Sequence, residues 1–266
     1  MKVEFDCVAR DFATPAGAMY RALDDISFVA SAGAFVAIVG PSGCGKSTLL
    51  NIAAGLVAPT AGRVRVGDRD LQGLNRAATY MFQQDALLPW KTVRDNVALG
   101  LTLAGSSRAE AQARAGDWLA RVGLTAFASH YPSQLSGGMR KRAAMAQNWI
   151  IDRGIVLMDE PFSALDVHTR QQMEGELLRL WDESKKTVLF VTHDLEEAIA
   201  LADEVIVLSA GPASRVVARH AVTLERPRDL MELRTAPAFV DMYRAIWAVL
   251  RDEVIKSHRA MEAVGG

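Results

Sequence analysis

"GPSGCGKST", residues 40–48, decides how this chain folds. It follows an uncharged apolar run, "AFVAIV" (34–39), and precedes a helical pattern, "LLNIAAGL" (49–56). Strand, glycine-rich turn and helix in that order are the setting a GxxxxGK[ST] phosphate loop requires. Gly40, Gly43 and Gly45 let backbone N–H groups turn inward around phosphate oxygens without Cβ clashes, and Pro41, Ser42, Cys44 and Thr48 complete the loop. Lys46 is placed to set its ammonium on the β and γ phosphates of a nucleotide, and the Ser47 hydroxyl to ligate Mg²⁺. The helix starting near Lys46 adds the positive end of its dipole.

Outward from that loop, buried-strand runs recur at "GIVLMD" (154–159), "TVLFVT" (187–192) and "EVIVLS" (204–209), with helical patterns at 170–184 and 195–202 between them. The alternation predicts an α/β sheet with mostly parallel strands. The N-terminal "MKVEFDCVAR" alternates like a first strand. From Trp90 to Asn148 the periodicity is helical, so an insertion is expected between two halves of the core. The expected division is a nucleotide-binding core over 1–89 and 150–225, a helical insertion over 90–149 and a C-terminal helical tail over 226–266. That tail starts with a polar stretch at "RPRD" and continues as an amphipathic helix over 238–255.

Lys+Arg 30 against Asp+Glu 31 in 266 residues give a net charge of −1, so no global basic field points to nucleic acid. Cys7 and Cys44 are far apart and fit no metal spacing, which suits a reducing compartment. Cys44, beside a lysine at a helix N-terminus, is expected to have a lowered thiol pKa. Residues 26–45 carry no charge, but Gly33, Gly40, Pro41, Gly43 and Gly45 break them into strand and loop. No apolar leader is seen, and the chain is expected to be soluble by itself.

Asp159 and Glu160 end an apolar strand. The first is placed to hold Mg²⁺ through water, the second to polarise a water attacking a γ-phosphate. Taken alone, His193 in "FVTHDLEEA" reads as a packed or capping residue and Gln83 in "YMFQQDALLPW" as a loop amide. "LSGGM" (135–139) is a second phosphate-seeking turn at a helix start. One nucleotide needs one cradle, and a plain helix cap by Ser136 stands beside that reading.

The phosphate loop, Gln83, "LSGGM", the 159–160 acids, "SALD" (163–166) and His193 occur in the order of the ABC transporter ATPases, which the chain resembles over nearly its whole length. The resemblance implies a P-loop NTPase core with an antiparallel β portion at the N-terminus, and hydrolysis of ATP with Mg²⁺. Ser136, Gly137 and Gly138 would close over the γ-phosphate held by the phosphate loop of a second, head-to-tail cassette, so ATP joins a dimer. Gln83 would sense Mg²⁺ and the attacking water, and Asp166 would bridge to the facing subunit. His193 would hold the γ-phosphate and align the water with Glu160. Tyr20, with Phe12 as rival, would stack on adenine. Met139 and Lys141 stand where the family often has Gln, and Lys141 is read as a solvated helix position.

"FQQDALLPWKTV" with "LSGGM" and a short C-terminal helix resembles the importers of nitrate, sulfonates, taurine and thiamine precursors. That implies a peripheral subunit on the cytoplasmic face of the inner membrane. Its partners would be transmembrane permease subunits and, indirectly, a solute-binding protein. The alternative, a non-transport ABC ATPase of DNA repair or translation, calls for a coiled-coil insertion or two cassettes per chain. Leu87, Leu88 and Trp90 are expected near the surface, either receiving a helix of the membrane subunit or pinning the insertion to the core.

Overall fold

The structure is a computed structural model and describes residues 1–15 and 17–265. The chain opens with β1 (Val3–Ala13), β2 (Met19–Ala30) and β3 (Phe35–Val39), followed by α1 (Lys46–Ala53). Next come β4 (Ala61–Val66), β5 (Arg69–Asp70) and β6 (Ala78–Met81). A helical stretch follows: α2 (Val93–Leu103), α3 (Arg108–Arg121) and α4 (Gly137–Trp149). The chain then alternates through β7 (Ile155–Asp159), α5 (Val167–Ser184), β8 (Thr187–Val191), α6 (Leu195–Leu201), β9 (Glu204–Leu208) and β10 (Val216–Ala221). It finishes with α7 (Leu230–Leu233) and α8 (Pro237–Gly265).

Two sheets form. An antiparallel one runs β2-β1-β4-β5, and a larger one runs β10-β9-β3-β8-β7-β6, parallel except for β10. Every residue of β3 is buried, because the strand has a core on each side. Phe35, Ala37 and Val39 face the core shared with α4, α5, α6 and α8, whereas Val36 and Ile38 face the one shared with α1 and the antiparallel sheet. A period of two with both faces apolar gives an unbroken hydrophobic run.

A third core lies among α2, α3 and α4, with Val97, Leu101, Ala115, Leu119 and Ile150 at its centre. Helix α4 serves two cores: Met145 and Trp149 face the sheet, Ala143 and Ala146 the helices. Thr92, Ser107, Ser136, Asp166, Asp194 and Asp229 cap their helices by accepting backbone N–H bonds, worth about 1 kcal/mol each.

The C-terminal segment docks on the main core through Phe239, Ile246 and Leu250. "RPRD", expected as a polar stretch, is anchored as well. Arg226 lies over the Trp181 ring at 4.2 Å, and Arg228 donates to the Ala200 and Ala202 carbonyls at the end of α6 (2.9 and 2.8 Å).

Strands β3, β8, β7 and β6 are adjacent and parallel, with Ile38 opposite Val191, Val191 opposite Asp159, and Met158 opposite Met81. Their carboxyl ends therefore lie on one edge, where open α/β sheets bind ligands. The residues that follow them are the phosphate loop, His193, Glu160 and Gln83.

Candidate nucleotide site

The loop after β3 turns through left-handed backbone at Gly43 and Gly45, with φ of +75° and +94°. A Cβ on Gly45 would also meet Leu23 Cδ2 at 2.7 Å, so that position has no room for a side chain. Lys46 folds back over the loop, its Nζ donating to the carbonyls of Gly40 (2.9 Å) and Pro41 (3.0 Å). Ser47 Oγ donates to Asp159 Oδ1 at 3.0 Å, and the Tyr80 hydroxyl reaches Oδ2 at 3.4 Å. Burial pushes the Asp159 pKa up, and the Ser47 hydrogen bond works against it. Burial, then the Asp159 charge, raises the Tyr80 pKa, so its hydroxyl stays a neutral donor. Ser47 and Asp159 offer hard oxygens with one carboxylate, which fits Mg²⁺, an ion that keeps waters and takes substrate phosphates as ligands.

Glu160 sits one residue beyond β7 with φ of +43°, a strained conformation for a non-glycine residue. Its N–H donates to Val191 O at 2.9 Å, extending the strand ladder and holding the turn. Glu160 Oε2 lies 3.0 Å from His193 Nδ1 and 3.5 Å from Gln83 Nε2. Gln83 Nε2 is also 3.4 Å from Ser163 Oγ, which donates to Glu160 O at 3.0 Å. Carboxylate, imidazole and amide thus meet from three different strand ends. Such a set can orient a water and accept its proton.

Ser136 caps α4, accepting from Met139 N at 3.3 Å. Gly138 faces α5 closely: a Cβ there would stand 2.6 Å from Thr169 Cγ2. The packing of α4 on α5 is therefore an intrachain reason for that glycine. Gly137 lines a cavity of about 380 Å³ with Gln83, Asp85, Arg140, Lys141 and Leu165. Asp166 caps α5 through Thr169 N (3.0 Å) and takes the Thr169 hydroxyl on its other oxygen (2.7 Å). The bond from the Thr169 backbone, then that from its side chain, holds the Asp166 carboxyl below the usual range.

Tyr20 is 40% exposed on β2, directly across from Phe12, whose ring is covered by the Arg10 guanidinium at 4.6 Å. A Cβ built on Gly211 would be 3.4 Å from both Gly43 O and the Tyr20 hydroxyl, which puts Tyr20 at the lip of the phosphate loop.

Three expectations need correction. Lys141 is not solvated: it is 4% exposed, because its side chain turns inward to Gln83 O (2.7 Å) and Asp85 Oδ1 (2.9 Å). Cys44 is 1% exposed, and burial pushes its thiol pKa up; the nearby Lys46 charge opposes that shift but does not reverse it. Of the three apolar loop residues, Leu87 is buried in the helical core, Leu88 is half-buried, and Trp90 alone is open, at 71%.

Ser163, the first residue of "SALD", joins the site through Gln83 and the Glu160 carbonyl, and Tyr80 and Asp85 join it without any sequence signal that singles them out. Lys141 had one. It shares the helical spacing of Met145 and Trp149, both buried, so the stripe already pointed inward.

A family model described as ABC transporter matches residues 23–163. An uncharacterised ABC transporter ATP-binding protein of Methanocaldococcus jannaschii is 45% identical over 91% of this chain and 88% of its own length. A taurine import ATP-binding protein of Rhizobium johnstonii is 44% identical, covering 90% of this chain and 92% of its own. A nitrate import ATP-binding protein of Synechococcus elongatus is 38% identical, covering 90% and 88%. Among solved structures, a dimeric bacterial ABC transporter cassette superposes with a TM-score of 0.74 at 32% identity, over 84% of this chain and 100% of that one. A post-hydrolysis dimer of such a cassette, bound to ADP and Pi, matches with the same TM-score at 33% identity, over 84% and 100%.

Proposed function

Because this chain belongs to the ABC transporter family and is an ATPase of that class, we propose that it drives an importer, taking up nitrate, a sulfonate such as taurine, or a thiamine precursor. The likeness to taurine and nitrate import ATP-binding proteins supports import, and the observation that carries hydrolysis is the meeting of Gln83, Glu160 and His193 beside the Ser47–Asp159 pair.

ATP lies with its phosphates on residues 40–48. Lys46 exchanges the carbonyls of Gly40 and Pro41 for β and γ oxygens, and Tyr20 stacks on adenine. Ser47, Asp159 and Gln83 hold Mg²⁺, which when bound neutralises charge on the phosphates. Glu160 polarises the attacking water, and His193 holds the γ-phosphate in line with it. The Ser136–Gly138 turn of a second copy closes the site, with Asp166 bridging the two. The core over 1–89 and 150–225 carries this chemistry, while 90–149 moves with the signature turn and 226–266 braces the core. Trp90 receives a transmembrane permease subunit, itself fed by a solute-binding protein, on the cytoplasmic face of the membrane. Among the described residues no helix is long and apolar enough to cross a membrane.

The test is Glu160→Gln, which keeps the shape of the side chain and removes the base. Hydrolysis should fall by about 10² or more while ATP stays bound. Gel filtration with ATP and Mg²⁺ should then show a dimer, and mostly monomer without nucleotide. Adding Ser136→Arg should abolish that dimer. A variant that holds ATP yet stays monomeric would refute the shared site.

A further inference from the structure

Gln83 is held at both ends. Its side-chain amide reaches Glu160 Oε2 at 3.5 Å and Ser163 Oγ at 3.4 Å, both long contacts. Its main-chain carbonyl accepts a much shorter bond, 2.7 Å, from Lys141 Nζ. Lys141 belongs to the helix that begins with the signature turn, five residues after its cap. The same ammonium pairs with Asp85 Oδ1 at 2.9 Å, and the other Asp85 oxygen takes Arg140 Nε at 3.1 Å. Arg140 in turn donates to Leu135 O at 2.7 Å, just before the signature serine.

We infer that Lys141 is a positioning residue that ties the signature helix to Gln83, so that a shift of α4 moves the amide next to Glu160. The inference rests on the ATPase reading above. Burial makes the tie firm. Lys141 is 4% exposed, and a desolvated ammonium cannot leave its partners without losing their compensation. A cavity of about 380 Å³ opens between loop and helix start, and Gln83, Asp85, Arg140 and Lys141 all line it, so the polar bridge runs along its wall. The loop is thus fixed to α4 more tightly than its amide is fixed to Glu160, and the loose contact is the one that changes when the helix shifts. Seating of the signature turn on a second copy's nucleotide is thereby relayed to the water-orienting group of its own chain.

The full chain, the Lys141→Met and Lys141→Gln variants and the Lys141→Met/Asp85→Asn double variant are compared with MgATP. The readouts are steady-state hydrolysis, melting temperature and amide exchange over 82–86. Lys141→Met should lower kcat by about tenfold or more with KM within about twofold, and speed exchange over 82–86. Lys141→Gln keeps an N–H donor for the Gln83 carbonyl and should recover much of that kcat. The double variant also removes the carboxylate charge that Lys141→Met leaves to Arg140 alone, so it tests the tie where the single variant folds poorly, and it should stay slow. A folded Lys141→Met or double variant with unchanged kcat and exchange overturns the inference. So does a loss that follows the melting temperature, raises KM alike and is not rescued by Gln. If the unaltered chain hydrolyses no MgATP, the ATPase reading fails, and exchange over 82–86 still decides whether Lys141 holds the loop.

Discussion

Cys44 lies inside the phosphate loop yet is walled off, since a Cβ on Gly40 would come within 2.8 Å of its Sγ. With a buried thiol and a raised pKa, it should alkylate far more slowly than exposed Cys7 near neutral pH. Mass spectrometry of the labelled peptides checks this, and comparable rates at the two cysteines would contradict it. Glu197 supports the site from behind. It accepts the hydroxyl of Thr192, which in turn accepts Asp194 N at 3.0 Å, so both neighbours of His193 are fixed. Burial pushes Glu197 from 4.5 up to about 8; the Thr192 bond opposes the shift, and the Glu174 and Asp194 charges add to it. The sign follows from linkage. Below pH 4.5 both states hold the proton; between there and about 8 the unfolded chain releases it first, so the fold loses up to about 1.4 kcal/mol per pH unit. Glu197→Gln removes that slope. In urea melts its stability relative to the parent should grow from pH 5 to pH 8, and a constant difference would count against a neutral buried Glu197. At this scale the sequence was legible in placement where a motif sets the spacing, as for Lys46, Ser47, Asp159 and Glu160, which meet at one edge of the sheet. It was not legible where a contact depends on the three-dimensional neighbour: the helical stripe turns Lys141 inward, but nothing in it names the partner Asp85.

The contact between α4 and α5 tests whether the signature glycines serve packing, phosphate or both. Gly138→Ala forces a methyl against Thr169 Cγ2, and Thr169 cannot rotate freely because its hydroxyl is bonded to Asp166. Overpacking of this kind should cost about 1–3 kcal/mol in chemical denaturation. Thr169→Ser deletes the offending methyl and keeps the hydroxyl, so the double variant should regain most of that stability. If ATP turnover returns with stability, Gly138 is a packing glycine only; if turnover stays low, close backbone approach to the second copy's phosphate is required as well. Strands β3, β7, β8 and β9 could be read because each is apolar on both faces. Strands β4 and β10 could not: they alternate with arginine and histidine on half-exposed faces and lack that run. The helix expected to start near Lys46 does so: α1 begins there, within the loop motif, ahead of the apolar pattern at 49–56.

At the scale of the molecule, two residues of one loop differ sharply in burial. Leu87 is 7% exposed in the core of α2, α3 and α4, so Leu87→Ala should lower stability by about 2–5 kcal/mol. Trp90 is 71% exposed, so Trp90→Ala should leave the melting temperature and basal hydrolysis of the isolated chain unchanged. It should weaken docking to the membrane subunits by about 2 kcal/mol, measured as complex recovery and transport. Loss of basal hydrolysis in isolated Trp90→Ala would show that the ring serves the fold instead. The strand order has one further consequence, for synthesis. β3 leaves the ribosome early, but its hydrogen-bonding neighbours β8 and β9 are translated long after it. Until they arrive, a wholly apolar strand with two open edges waits on a growing chain, the kind of segment that sticks to its like. Nascent chains stalled before Thr187 should therefore need a chaperone that shields such a strand, and that need should vanish once β9 has emerged.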